Sequence, residues 1–286
     1  MYRKTKVAYM SSTLLHNLWA WMKTAMKNVS SPSKLYKNMT KPPLRILCFG
    51  NSLTRGYPVE HPYARKLSDK IEQAFPGRKV EYEVDGLPGD LVTVGNYIPR
   101  MQRNWAPGKK PFDWTIVLGG TNDLGWGREA DEIIEGLEKA WDIPLSKGGK
   151  VMALTIPETK GVFPDITERR TTVNDAIRTY ERENYFHFDL HKELPYHSLS
   201  PQDRAKYWNP DGVHLKAAGY DHMGEMIGDA LVRILRLAEA QEDDISSVVT
   251  DARQRKAIEE LVFEEEMGDH RLLSQGYIVV RKKDLE

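Results

Sequence analysis

Two short segments carry residue types that do chemistry together. In CFGNSLTRGY, residues 48–57, an apolar run stops abruptly and delivers Ser52 into a glycine-flanked turn. Far along the chain, Asp211-Gly212-Val213-His214 sets a carboxylate shortly before an imidazole. A serine hydroxyl attacks a carbonyl only when a base takes its proton, and imidazole titrates near neutrality, so Ser52 is the candidate nucleophile and His214 the candidate base. The other ring nitrogen of His214 needs an acceptor that fixes the tautomer and stabilises the imidazolium. Asp211 is close enough in the same loop to fold back onto it. A tetrahedral intermediate also needs donors aimed at its oxygen. The backbone N–H groups of Ser52 and Gly89 and the side-chain amide of Asn122 can supply them, and a glycine at 89 keeps a Cβ out of the way. Ser52 also opens a turn before a helical region, where free N–H groups favour developing negative charge. The chemistry is acyl transfer, and it calls for no metal and no organic cofactor.

These residues need a scaffold that gathers distant loops. Short stretches rich in Val, Ile and aromatic residues at 44–49, 79–84, 113–118, 150–156 and 184–190 read as strands. Helical patterns fall between and after them, at about 63–75, 91–105, 128–141, 165–182 and 216–240. Such alternation predicts βαβ units, a parallel sheet and helices on both faces, a three-layer α/β/α domain. Ligands of open α/β sheets bind beyond the carboxyl ends of the strands. There the chain places Gly50-Asn51-Ser52, Asp85 to Asp90 and Gly119-Gly120-Thr121-Asn122-Asp123, with Asp211 to His214 after the fifth strand and a long loop.

Taken together, FGNSLTRGY, the loop around Gly89, GGTND and DGVHL closely resemble the blocks of the SGNH (GDSL-type) hydrolases, over residues 44–240. The resemblance implies a flavodoxin-like five-stranded parallel sheet and a serine hydrolase acting on carboxylic esters. It implies Ser52 as nucleophile, His214 as base, Asp211 as its partner, and Ser52, Gly89 and Asn122 as the oxyanion hole. One position departs from the family, which usually has Asp where this chain has Asn51. An asparagine that only braces the turn by hydrogen bonds leaves activity intact, whereas a lost charge that tuned the triad would reduce it. The first reading is favoured because Asp211 already provides the carboxylate the mechanism requires. Tyr57, Trp126 and Trp208 stand near the motifs and are candidates to line the substrate cleft, although rings at such places also pack loops.

Other readings of single motifs are weaker. His187, Asp189 and His191 alternate along the fifth strand with His197 nearby, but a metal site there would need both rings to converge and a further carboxylate. Cys48, the single cysteine, lies within the first strand as a small buried hydrophobe, and no intramolecular disulfide is available to the chain. GLPGD lacks the spacing and the lysine of a phosphate loop.

The 286 residues carry 41 basic and 41 acidic side chains, so there is no net charge to attract nucleic acid. The balance is uneven, with no acidic residue before Glu60 and a strongly acidic stretch at 239–269. Residues 1–43 form a basic extension in which Leu14, Leu18, Trp21, Met22, Ala25 and Met26 fall at helical spacing. Three readings stand for it: a helix packed on the main domain, a targeting presequence, or a membrane-surface helix. Residues 241–286 form an acidic helical extension. No apolar run reaches the length of a membrane span, and an intracellular location, cytoplasmic or organellar, is expected. The expected partner is a small ester substrate. The alternatives are a non-catalytic module on the same fold, a membrane-peripheral lipid-ester hydrolase, and an acyltransferase.

Overall fold

A computed structural model describes residues 42–250. The amphipathic stretch before them and the acidic segment after them lie outside the described residues.

Five strands form one wholly parallel sheet: β1 (Leu44–Gly50), β2 (Val80–Gly86), β3 (Trp114–Leu118), β4 (Lys150–Leu154) and β5 (Tyr185–Phe188). Their spatial order is β2-β1-β3-β4-β5. The register runs Leu44 opposite Val80 and Ile46 opposite Trp114, so β1 is paired on both sides. Central strands buried on both faces read as continuous apolar runs. Side chains alternate between two cores. Ile46, Cys48, Ile116 and Met152 enter one, while Leu47, Phe49, Val117 and Val151 enter the other. Cys48 is fully buried, and burial pushes its thiol up to about 12, which suits an inert apolar filler.

The helices follow from the handedness of parallel crossovers. The chain moves one way from β1 to β2 and the other way for every later step, so right-handed connections put the intervening helices on opposite faces. Helix α2 (Ala64–Ala74), between β1 and β2, packs with the long α9 (Ala217–Thr250) against the first core. Helices α3 (Tyr97–Asn104), α5 (Ala130–Leu145) and α6 (Pro164–Thr179) cover the second. Four short helices sit near the site: α1 (Ser52–Arg55), α4 (Thr121–Gly125), α7 (Leu190–Glu193) and α8 (Pro201–Tyr207).

Three elements depart from the sequence reading. The helix expected from 91 begins at Tyr97, because Val92 and Thr93 donate their N–H groups to Asp123 and Asn96 donates to Asp90. Those carboxylates compete with the helical ladder and hold a loop. The fifth strand ends at Phe188 because Asp189 accepts from the Lys192 N–H and caps α7. Helix α9 continues past residue 240 to Thr250. Among the described residues no helix is long and apolar enough to cross a membrane.

Candidate active site

The β1 strand lies between β2 and β3, the point where the strand order reverses and where crevices open in such sheets. Ser52 leaves the end of β1 as the first residue of the single-turn helix α1. Asn51 is 1% exposed and caps that turn, its Oδ1 accepting from the Leu53 N–H at 3.2 Å. An aspartate oxygen would accept the same bond, so the departure at this position keeps the brace. Tight packing of the rim requires glycine on both sides of the serine turn. A Cβ on Gly50 would lie 2.4 Å from the Leu118 carbonyl oxygen, and one on Gly86 would lie 2.4 Å from the Arg55 nitrogen.

His214 meets Ser52 across the whole domain. Its Nε2 lies 2.9 Å from Ser52 Oγ, and its Nδ1 lies 2.8 Å from Asp211 Oδ2. The other oxygen of Asp211 accepts the N–H groups of Val213 and His214, both at 2.9 Å. That Asx-type turn is why the two residues stand so close in sequence. The loop is closed further by Asn209 N–H to His214 O, and by a bridge between Trp208 and Leu215. Gly212 adopts φ +69° and accepts from the Lys160 N–H, which ties the loop to the segment after β4.

The loops after β2 and β3 are fastened to the serine turn. Leu87 N–H donates to Gly50 O at 3.1 Å, and Asn122 Nδ2 donates to Asp90 O at 2.9 Å, next to Gly89. That bond uses one of the two amide hydrogens of Asn122 and fixes the orientation of the other. Among the described residues the backbone N–H groups of Ser52 and Gly89 have no acceptor. Gly89 lies at φ +77°, and no atom stands within 4 Å of where a Cβ would be. Sequence reasoning missed the residues that hold these loops. Arg100, on α3, reaches Gly50 O, Asp85 and Asp90. Asp123, wholly buried, accepts from Val92 N, Thr93 N and the Thr93 hydroxyl. Asn174 makes both amide bonds to the main chain of Ile156. The signal available for Asp123 was its place in GGTND; Arg100 carried none.

A cleft of about 380 Å³ is lined by Asn122, Trp126, Ile156, Phe163, Arg170 and Val213 among others. Ser52 and His214 are not on its wall, and it approaches them through Asn122 and through Val213, which precedes His214. Trp126 is 74% exposed at its mouth. Tyr57 stacks edge-on against the His214 ring at 4.9 Å between centroids and is partly exposed there. Trp208 is a correction. It is 3% exposed, its ring lies in the first core against Tyr196, and its indole N–H donates to Pro195 O. Its bulk is spent supporting the His214 loop, not walling the cleft. The histidines near β5 also disperse: Asp189 is taken by Arg178 and Thr155, and the His197 ring bonds to Thr159 O. Among the described residues no group of three potential ligands converges on a metal position.

Three carboxylates share one electrostatic pattern. Burial pushes Asp211, Glu158 and Asp189 up, but donated hydrogen bonds hold each below its ordinary value. The donors are the His214 and Val213 N–H groups for Asp211, those of His197 and Tyr196 for Glu158, and Arg178 with Thr155 for Asp189. The native state therefore binds fewer protons than the unfolded chain near the ordinary carboxylate range. The stability these groups contribute is present above roughly pH 4 and is lost as pH falls through their lowered values. Melting temperatures measured from about pH 6 to about pH 3 are expected to fall, with the steepest loss below about pH 4. A flat profile across that window would contradict the assignment.

Residues 48–222, more than half of the chain, match the model of the GDSL-like Lipase/Acylhydrolase family. The chain belongs to that family. A member of the lipolytic protein G-D-S-L family from Veillonella parvula is 26% identical, with TM-score 0.50 over 63% of this chain and 93% of that one. The lipase/acylhydrolase from Enterococcus faecalis is 21% identical, with TM-score 0.52 over 66% and 95%. The aryl esterase of M. smegmatis is 18% identical, with TM-score 0.50 over 67% and 98%, a likeness of fold. The comparison with curated proteins returned no match. Membership in the GDSL-like family makes the chain a hydrolase of the esterase and lipase kind, on the three-layer fold described above.

Proposed function

We propose that the protein hydrolyses carboxylic esters through an acyl-Ser52 intermediate. The observation that carries this reading is the unbroken hydrogen-bonded line from Ser52 Oγ through the His214 ring to Asp211. As Ser52 Oγ bonds to the ester carbonyl carbon, its proton passes to His214 Nε2. Asp211 holds the Nδ1 proton in place and balances the imidazolium. The carbonyl oxygen, now an oxyanion, is received by the N–H groups of Ser52 and Gly89 and the free amide hydrogen of Asn122. Collapse expels the alcohol, which takes the proton from His214. Water then gives a proton to the same nitrogen as its oxygen bonds to the acyl carbon. Collapse breaks the acyl–Oγ bond, returns that proton from His214 to Ser52 Oγ and releases the acid.

The test combines labelling with turnover. A fluorophosphonate probe is expected to add to Ser52 Oγ, read by peptide mass spectrometry, and nitrophenyl esters from acetyl to long-chain acyl are expected to be cleaved. Folded protein that neither takes the probe nor cleaves any ester would favour a non-catalytic module. Within the mechanism, Asn122→Ala is expected to lower kcat about 10²–10³-fold, the typical loss for one oxyanion donor. An unchanged kcat would remove Asn122 from the hole.

A further inference from the structure

We infer that the cleft beside Ser52 takes an ester that carries an anionic group on an apolar spacer, with the anion seated on the Arg170 guanidinium. The inference rests on the esterase reading above and names its substrate class.

Helix α6 turns Ile166, Arg170, Val173, Asn174 and Ile177 inward, a spacing that normally belongs to apolar residues. Arg170 is 6% exposed and lines the cleft one turn from Asn174, which is pinned to Ile156 at the end of β4. Taking a guanidinium out of water is unfavourable unless a partner replaces the lost solvation. Other arginines that the fold shields have such partners. Arg100 holds Asp85 and Asp90, Arg178 holds Asp189 and Asp175, and Arg45 holds Glu81 and Glu83.

Arg170 differs. Among the described residues no hydrogen bond and no ion pair reaches its guanidinium, and the one attraction on it comes from Glu158, beyond ion-pairing distance. Glu158 is engaged elsewhere, its Oε2 accepting from Tyr196 N at 2.7 Å and His197 N at 3.0 Å. Burial first and the Arg170 charge next push the nearby His191 imidazole below its ordinary value, while Glu158 and Asp189 pull the other way. The cleft thus contains a largely shielded arginine whose guanidinium still reaches the cleft's solvent, a fork of donors matched to a carboxylate or phosphate. Its other walls, Trp126, Ile156, Phe163 and Ile166, fit a hydrocarbon or aromatic spacer. Asn122 and Val213, the latter adjacent to His214, connect it to the reacting centre.

Matched ester pairs test this. 4-Nitrophenyl hemiglutarate against 4-nitrophenyl valerate places the charge on the acyl side, and 4-carboxyphenyl acetate against 4-methylphenyl acetate places it on the alcohol side. In at least one pair the wild type is expected to favour the anionic member in kcat/KM. Arg170→Gln should shrink that preference about tenfold to a hundredfold, mainly through KM, with partial recovery in Arg170→Lys. The pair that responds identifies which side of the ester occupies the cleft. A preference that is absent in the wild type, or unchanged in both variants, overturns the inference. Should no ester be turned over, calorimetric titration of the wild type with glutarate decides separately. Binding that Arg170→Gln abolishes and Arg170→Lys partly restores supports the anion seat, and no binding refutes it. Melting curves of both variants show whether any loss reflects unfolding.

Discussion

Ser52→Ala is expected to lower kcat on nitrophenyl acetate by about 10⁶, and Asp211→Asn by about 10⁴, with both proteins folded. In the proposed mechanism the first removes the attacking oxygen. The second is more informative because it leaves the loop intact. In Asp211 one oxygen accepts the Val213 and His214 N–H groups and the other faces His214 Nδ1. Asparagine keeps an oxygen for the two amides, but its NH₂ then faces Nδ1 and obliges that nitrogen to accept. The ring proton moves to Nε2, which must now donate toward Ser52 and can no longer take its proton. Circular dichroism and melting temperature check the fold. A kcat for Asp211→Asn within tenfold of wild type would show that the tautomer is set by something other than Asp211.

Arg100→Met should destabilise the protein by about 3–5 kcal/mol, because it leaves a buried carboxylate without its cation. The Arg100 and Asp90 side chains are each 6% exposed, and the guanidinium also lies 4.6 Å over the Phe49 ring. Its nitrogens bond Gly50 O at 2.7 Å and Asp90 Oδ2 at 3.1 Å, and also reach Asp85. One side chain therefore fixes the ends of β1 and β2 and the loop that contains Gly89. Arg100→Lys should recover little, since an ammonium cannot span these acceptors as a planar fork does. Urea denaturation gives the stability change, and a loss below about 1 kcal/mol would mean that water or repacking replaces the network.

What the chain revealed in advance, and what it hid, divides along physical lines. The alternation of short apolar strands and helices, and the four loops ending in Ser52, Gly89, Asn122 and His214, were legible because period and turn chemistry are local. The pairing of Asp211 with His214 was legible for the same reason. Arg100 was not, since a guanidinium in a polar-looking helix announces neither burial nor its three distant acceptors. The loop at 91–96 was misread as helix because its competing acceptors, Asp123 and Asp90, act through space. Trp208 was placed by its nearness to DGVHL, whereas the bridge to Leu215 turns the ring inward. Arg170 drew no separate reading, because nothing local distinguishes a helical arginine that turns inward from one that faces solvent.

The separation between Ser52 and His214 sets an order of events during synthesis. Ser52 follows β1 directly, whereas His214 comes after all five described strands and just before α9, which docks against α2. Contacts of such long range close late in folding. A nascent or truncated polypeptide that ends before residue 214 contains all five described strands and their rim, yet its Ser52 lacks the imidazole that the proposed mechanism assigns as its base. On the proposed mechanism the serine gains its base only once synthesis has passed residue 214, so probe labelling of Ser52 would report that α9 and the loop before it have closed onto the sheet.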